Sequence, residues 1–347
     1  MKIKILILED NPLIQLGYKK AFETIPDFEI VRIVSNGEEG LIVLDSEEID
    51  VILCDLNMPR MDGFEFTKRC MSTKPKPILI VSDLVQSENT EEIFKVLNYG
   101  AVEVLPKPKI GGDISLLRLE LEKKIRILAG VIVFTKKESA SKLRSFQRVD
   151  TTIDFPSERK ISKDTLVMIG ASTGGPQAFQ QIFAAVPSDF PAPIFSVQHI
   201  SNGFGQGMVE WLSQICPLKL HYLTDDTEWE PGHVYFPKDD HHLVLDGTKV
   251  RLEQSEKVRG HRPSVDQLFL SLTEYQCKKT LAFLLTGMGD DGAIGLKRIK
   301  DFGGYTFAQD EASSVVYGMP RVALELGGVC SVLSLEDIVT IFKTGVY

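Results

Sequence analysis

The sequence predicts an α/β protein of two domains, each a doubly wound, mostly parallel sheet, the second carrying an antiparallel hairpin. Three observations predict this. Short apolar runs alternate with helix-period segments through residues 1–128. A polar stretch rich in Ser, Lys and Arg then breaks the pattern, and a new apolar run begins at Leu166. The length of 347 residues suits two domains, at roughly 100–200 residues each.

The strand-like runs of the first domain are KIKILIL (2–8), FEIVRIVS (28–35), VILCD (51–55), PILIVS (77–82) and VEVL (102–105). Between them, helical spacing appears in LIQLGYKKAF (13–22), FEFTKRCM (64–71) and TEEIFKVLNYG (90–100). A last helix, ISLLRLELEKKIRIL (114–128), closes the unit. Strands alternating with helices imply a parallel sheet covered on both faces. Residues 129–163 read as a linker with one short ordered piece, VIVF (131–134). The second domain, 164–347, has strands at LVMIG (166–170), IFSVQH (194–199) and TLAFLLTG (280–287). In HHLVLDGTKVRL (241–252), Asp246-Gly247 suits a two-residue type I′ hairpin turn.

Composition narrows the function classes. Hydrophobic residues at 43% supply two packed cores, and a net charge of −9 tells against a nucleic-acid binder. The opening MKIKILILEDNP reads as a first strand ending in two carboxylates, not as a signal peptide. No stretch approaches the roughly 20 apolar residues that span a bilayer. The five cysteines are scattered, with no CxxC pair, which points to a reducing compartment without disulfides or a zinc knuckle. These features together predict a soluble, cytoplasmic protein.

In an open parallel sheet, ligands collect at the carboxyl ends of the strands. Strand one of the first domain ends at Glu9-Asp10, strand three at Asp55, strand four at Ser82 and strand five near Lys107. Hard carboxylate oxygens of this kind suit Mg²⁺. Asp55 can then accept a phosphoryl group, with Lys107 and the metal neutralising its charge and the Ser82 hydroxyl bonding it. Any one strand-end carboxylate is ordinarily a solvated loop residue, but four groups at four strand ends are hard to ascribe to chance. The set LEDN (8–11), DLNMPRMDG (55–63), VSDL (81–84) and LPKP (105–108) resembles a two-component receiver domain of flavodoxin-like fold. The resemblance implies Asp55 as the phosphorylation site, Glu9, Asp10 and Asp55 as ligands of the divalent cation, and Ser82 and Lys107 as switch residues. It also marks two departures. Glu9 stands where many members have aspartate, and Val104 where many have a switching aromatic.

The second domain opens on TLVMIGASTGGPQAFQQIF (165–183). Gly170-Ala-Ser172-Thr-Gly174 has the G-x-S-x-G spacing of a nucleophile elbow, with a strand before it and a helix after. A Walker A loop requires Lys after its last glycine, where Pro176 stands, and the dinucleotide fingerprint has different spacing. A glycine-serine turn can also be purely structural. Partners weigh against that reading. His199 ends the next strand, and TGMGDDG (286–292) offers Asp290 and Asp291 at another strand end. A serine nucleophile requires a base, and an imidazole base requires a carboxylate. Of the other histidines, His241 and His242 read as polar and solvated before the hairpin turn, and His261 opens a loop bordering the site.

IGASTGGPQA, QHISNGF, PGHVYFPKDDHH, HRPSVDQLF, LLTGMGDDGAIGL and AQDEASSVVYGMPRVA together resemble the catalytic domain of chemotaxis protein-glutamate methylesterases. With a receiver in front, the resemblance to CheB-type response regulators covers nearly the whole chain. It implies a Rossmann-like esterase domain that removes methyl esters from glutamyl side chains of membrane chemoreceptors, and in many members deamidates receptor glutamines. It implies Ser172 as nucleophile, His199 as base, Asp291 rather than Asp290 as orienting acid, and the Met288 N–H in the oxyanion hole. The implied partners are methyl-accepting chemoreceptors and a chemotaxis histidine kinase, with no nucleic acid and no insertion into the membrane. The implied cofactor is Mg²⁺ at the receiver and none at the esterase. A phospho-dependent adaptor and a DNA-binding regulator are the competing classes; Ser172→Ala tests the first and a salt-dependent DNA shift the second.

Overall fold

The computed structural model describes residues 2–82, 90–107, 114–131, 133 and 159–347. They form two compact units, one within residues 1–147 and the other within 148–347. Most of the expected linker lies outside the described residues, including Ile132 and Phe134 of VIVF, as do Asp83, Leu84 and Pro108 of the receiver-like motifs.

The first unit runs β1 (Ile3–Leu8), α1 (Pro12–Glu23), β2 (Phe28–Val34), α2 (Gly37–Ser46), β3 (Val51–Cys54), α3 (Gly63–Thr73), β4 (Ile78–Ser82), α4 (Thr90–Asn98), β5 (Glu103–Pro106) and α5 (Ile114–Leu128). All five strands are parallel, in the order β2-β1-β3-β4-β5. The helices begin where short polar side chains can take up loose N–H groups. Asn11 accepts from Leu13 at the start of α1, Asn36 from Glu39 at α2 and Asp62 from Glu65 at α3. α1 buries Ile14, Tyr18, Ala21 and Phe22, one stripe at helical spacing. β3 and β4 are buried along their whole length, as central strands covered on both faces must be. At Gly63 a β-carbon would sit 2.2 Å from the Asp55 carbonyl oxygen, so only glycine lets α3 start this close to the end of β3.

The second unit contains β6 (Leu166–Ala171), α6 (Gly175–Ala185), β7 (Ile194–Gln198), α7 (Gly205–Ser213), β8 (Lys219–Leu223), β9 (Thr227–Glu228), β10 (His233–Pro237), β11 (His242–Asp246) and β12 (Lys249–Glu253). It continues through α8 (Val265–Leu270), α9 (Glu274–Cys277), β13 (Thr280–Leu284), α10 (Ala293–Asp301), β14 (Tyr305–Gln309), α11 (Met319–Glu325), β15 (Ser331–Leu333) and α12 (Leu335–Thr344). Seven parallel strands order as β15-β14-β13-β6-β7-β10-β8, and β11, β12 and β9 form a separate antiparallel sheet. From β6 the chain winds outward through β7, then returns to place β13 on the other side. The order therefore reverses beside β6, the position at which α/β sheets open a crevice.

One sequence expectation shifts here. The hairpin forms, but Asp246 pairs with Lys249, which leaves Gly247-Thr248 as the turn. Only Gly247 has positive φ, 63°, so the turn follows the II′ pattern with glycine first, not I′ at Asp246-Gly247. Residues 159–161, read above as the end of the linker, hydrogen-bond to the C-terminal tail: Arg159 and Tyr347 exchange backbone bonds, and the Ile161 N–H reaches the Gly345 carbonyl. Tyr347 packs on Tyr305 and Phe307, and the Arg159 guanidinium lies over the Tyr305 ring.

Candidate functional site

The carboxyl end of the first sheet gathers the acidic residues the sequence points to. One ligand atom each from Glu9, Asp10 and Asp55 lie within 4.8 Å of one another. Glu9 and Asp55 are buried and Asp10 is exposed. Lys107 Nζ donates to Asp55 Oδ2 at 2.6 Å and to Glu9 Oε1 at 3.2 Å. The Lys107 N–H reaches the carbonyl of Ser82, which is buried at the end of β4. Asp55 Oδ1 is buried with no hydrogen-bond partner among the described residues. Burial raises the carboxyl pKa of Asp55, and Lys107 only partly offsets it. Glu9 is likewise raised, first by burial. Burial pushes Lys107 down, but the bonds and charges of Asp55 and Glu9 outweigh it and keep the amine a cation.

Among the described residues, three carboxylates against one ammonium leave the pocket negative, with one buried oxygen unsatisfied. Carboxylate donors of this number and hardness fit a divalent cation such as Mg²⁺. Val104, buried on β5, offers no ring for an aromatic switch.

At the crevice of the second sheet, Ser172 follows β6, His199 follows β7, and Thr286 to Asp291 follow β13. Strand register sets them side by side: the His199 N–H bonds to the Ala171 carbonyl at 3.0 Å and the Ser172 N–H to the Thr286 carbonyl at 3.0 Å. At Gly287 a β-carbon would lie 2.7 Å from Ser172 Cβ, so the β13 turn passes the serine only as glycine. Gln198 Nε2 donates to the carbonyls of Ser172 and His199, at 2.8 and 2.9 Å, and ties the two strand ends together. Thr286 is held in turn by Gln309 Oε1, which accepts its N–H at 2.8 Å.

Of the two candidate aspartates, the fold brings Asp291 to the imidazole. His199 Nε2 and Asp291 Oδ2 are 2.7 Å apart, both residues buried. Asp290 points elsewhere and pairs with Arg259. Asp291 also accepts from the Ser264 hydroxyl at 2.8 Å and from the N–H groups of Val265 and Asp266 at 2.7 and 3.0 Å, all at the start of α8. Burial pushes the Asp291 carboxyl up. The His199 bond and charge, then the Asp266 N–H and the Ser264 hydroxyl, more than reverse this and bring it down to about 2. An ionised Asp291 requires the proton on Nε2, which leaves His199 Nδ1 as the basic lone pair. Nδ1 is buried and carries no hydrogen bond among the described residues. The Ser172 hydroxyl and the Met288 N–H likewise make no hydrogen bond among the described residues.

The family model described as CheB methylesterase matches residues 167–341, and that of the response regulator receiver domain matches residues 5–115. The chain belongs to the CheB methylesterase family. A relative from Geobacter metallireducens named protein-glutamate methylesterase/protein-glutamine glutaminase 4 is 35% identical over 342 residues, covering 97% of both chains. A second, from Carboxydothermus hydrogenoformans and named protein-glutamate methylesterase/protein-glutamine glutaminase 1, is 36% identical and also covers 97% of each. The crystal structure of the Thermotoga maritima CheB methylesterase catalytic domain is 36% identical, covers 51% of this chain and 98% of its own, and aligns with a TM-score of 0.48.

Some side chains that build this CheB-family site escaped the sequence reading. His242, expected to be solvated, is fully buried: its Nδ1 accepts from the Ser264 N–H at 3.1 Å, and Nε2 bonds to the Glu256 carbonyl at 3.1 Å. It thereby holds the residue that holds Asp291. β11 is covered on both faces, so four of its five residues are buried whichever way they point, His242 among them. Ser264 carried a signal, since Ser-x-Asp-Gln ahead of an apolar run marks a helix start. Gln198 carried none beyond its place before His199. His261 does border the site, its ring flat against His199 with centroids 3.9 Å apart.

Proposed function

We propose that the chain is a phosphorylation-controlled hydrolase that removes methyl esters from glutamyl side chains of chemoreceptors, releasing methanol, and that also deamidates receptor glutamines. In this reading residues 1–128 are the receiver, 129–163 the linker and 164–347 the esterase domain. One observation carries it: a buried His199 whose Nε2 is held by an ionised Asp291 while Nδ1 is left open, one strand from a serine on a glycine turn. Ser172 Oγ attacks the ester carbonyl as His199 Nδ1 takes its proton. The Met288 N–H receives the developing oxyanion. The imidazolium, stabilised by Asp291, returns the proton to the departing methoxide, and methanol leaves. Water then attacks the acyl-enzyme with the same base, freeing the γ-carboxylate and Ser172. With a glutamine substrate, the same sequence expels ammonia.

Asp55 takes the phosphoryl group from a chemotaxis histidine kinase. Glu9, Asp10 and Asp55 would hold Mg²⁺, which when bound supplies charge neutralisation at the phosphoryl oxygens. Lys107, already on Asp55 Oδ2, contacts the phosphoryl group, and the Ser82 hydroxyl bonds it. Phosphorylation acts on the esterase as a population shift between states. No helix among the described residues is long and apolar enough to cross a membrane, and we place the enzyme in the cytoplasm at receptor clusters.

The test is methanol release from receptor-bearing membranes with labelled methyl esters, for wild type and Ser172→Ala, each with and without Mg²⁺ and a small phosphoryl donor. Release by wild type alone, faster with donor, is the expected result. Equal release by both proteins removes the serine chemistry. Release by wild type that ignores the donor removes the control by Asp55.

A further inference from the structure

Val258 and His261 exchange both backbone hydrogen bonds, at 3.1 and 2.8 Å, closing a tight turn with Arg259 and Gly260 at its tip. Both tip residues are left-handed, with φ of 52° and 85°, the pattern of a type I′ turn. Glycine takes up this backbone freely, whereas arginine is strained in it. A non-glycine residue at such a position raises the question of what its side chain reaches.

The Arg259 guanidinium pairs with Asp290, and its Nε lies 3.4 Å from Asp266 Oδ2. These carboxylates flank the orienting aspartate from two directions. Asp290 precedes Asp291 in the chain. Asp266, buried on α8, donates its N–H to Asp291 Oδ1 while its own carboxylate accepts from the Gly295 N–H at 2.7 Å. Burial and the nearby charge of Asp291 push Asp266 up, and Arg259 pulls it down. The cations and imidazoles facing this cluster are Arg259 on the turn, His199 after β7 and His242 on β11; Arg262 is occupied by Asp240 at 2.7 Å. Arg259 therefore bridges two of the three carboxylates, and the same turn lays His261 against His199.

We propose that Arg259 is a positioning residue of the hydrolase: by bridging Asp266 and Asp290 it holds Asp291 under His199 and keeps the negative charge around the imidazole from exceeding what one aspartate supplies. The inference rests on the serine-esterase reading above. It acts through Asp291 and does not touch the ester.

The experiment measures kcat and KM for methyl-ester hydrolysis by the full chain across pH, in wild type, Arg259→Gly and Arg259→Lys, with Ser172→Ala as the blank. Glycine suits the turn, so Arg259→Gly removes the cation and leaves the backbone at ease. Its kcat is expected to fall about tenfold with KM within about twofold, the size of one coupling between neighbouring groups. The acid limb of its kcat profile moves to higher pH, because uncompensated carboxylates favour the protonated imidazole. Arg259→Lys restores most of kcat and returns the acid limb towards wild type. Wild-type kcat and an unmoved limb in Arg259→Gly overturn the proposal, as does a loss confined to KM. A loss that lysine does not recover assigns the effect to the turn and overturns it too. Wild-type release no faster than Ser172→Ala overturns the esterase reading, and this proposal with it.

Discussion

Two aspartates lie beyond the carboxyl ends of strands in two parallel sheets, Asp55 directly after β3 and Asp291 on the turn after β13, and both are buried, yet they meet opposite surroundings. Asp291 has four donors: an imidazole, a hydroxyl and two backbone N–H groups. Among the described residues, Asp55 has Lys107 on one oxygen and no hydrogen-bond partner on the other. The first carboxyl falls to about 2, and the second is raised by burial. A carboxylate with every lone pair engaged is a fixed charge that can orient and stabilise but has no reason to react. A carboxylate with a buried, open oxygen is high in energy and gains by meeting an electrophile or a cation. The same residue type at the carboxyl edge of a parallel sheet thus becomes an anchor in one unit and an acceptor in the other.

The largest test of this contrast is on turnover. Asp291→Asn should cut methanol release by about 10⁴-fold, as loss of the orienting carboxylate allows the wrong tautomer, whether or not a phosphoryl donor is present. Asp55→Asn should leave basal release in place and abolish the response to donor, read in the same assay. If the two variants behaved alike, the distinction between anchor and acceptor would collapse.

Next comes packing around the acceptor. Gly63→Ala places a methyl 2.2 Å from the Asp55 carbonyl oxygen, so α3 must move. Chemical denaturation should show a loss of about 1–3 kcal/mol, the usual penalty for overpacking, together with slower labelling of Asp55 by a phosphoryl donor.

Titration should then separate the two carboxyls by sign. Asp291 is depressed from its ordinary 3.8 to about 2, so it contributes stability that is complete above its unfolded value and lost as pH falls through the folded one. That window is worth about 2 kcal/mol. Asp55 and Glu9 are raised, so the penalty of their burial instead fades as acid protonates them. Acid unfolding of Asp291→Asn should therefore lose its steepest part between about pH 4 and 2, whereas Asp55→Asn should retain it. The smallest effect is a rise in melting temperature with added Mg²⁺, present in wild type and reduced in Asp55→Asn.

Read alone, the chain already specifies a great deal. Alternation of apolar runs with helix-period segments placed α5 at residues 114–128 and β4 to end at Ser82, because burial on both faces leaves a run of apolar residues that needs no partner to be recognised. Strand ends then told where chemistry would gather, since in a parallel sheet those ends share one edge. Ser172, His199 and the aspartate pair were therefore visible as a group before any contact was known.

Other features came from packing over long chain distances, which local pattern does not encode. Strand position alone does not separate Asp291 from Asp290; only the family resemblance favours Asp291, and in the fold the start of α8, more than twenty residues upstream, holds that carboxylate beside the imidazole. The hairpin register moved by one residue because cross-strand pairing, not the Asp-Gly dipeptide, set the turn. His242 lost its water to the small sheet, and residues 159–161 found a partner in a tail nearly two hundred positions away. Local sequence encodes periodicity and backbone freedom. Which polar atom ends up with four partners and which with one open oxygen depends on everything packed around it.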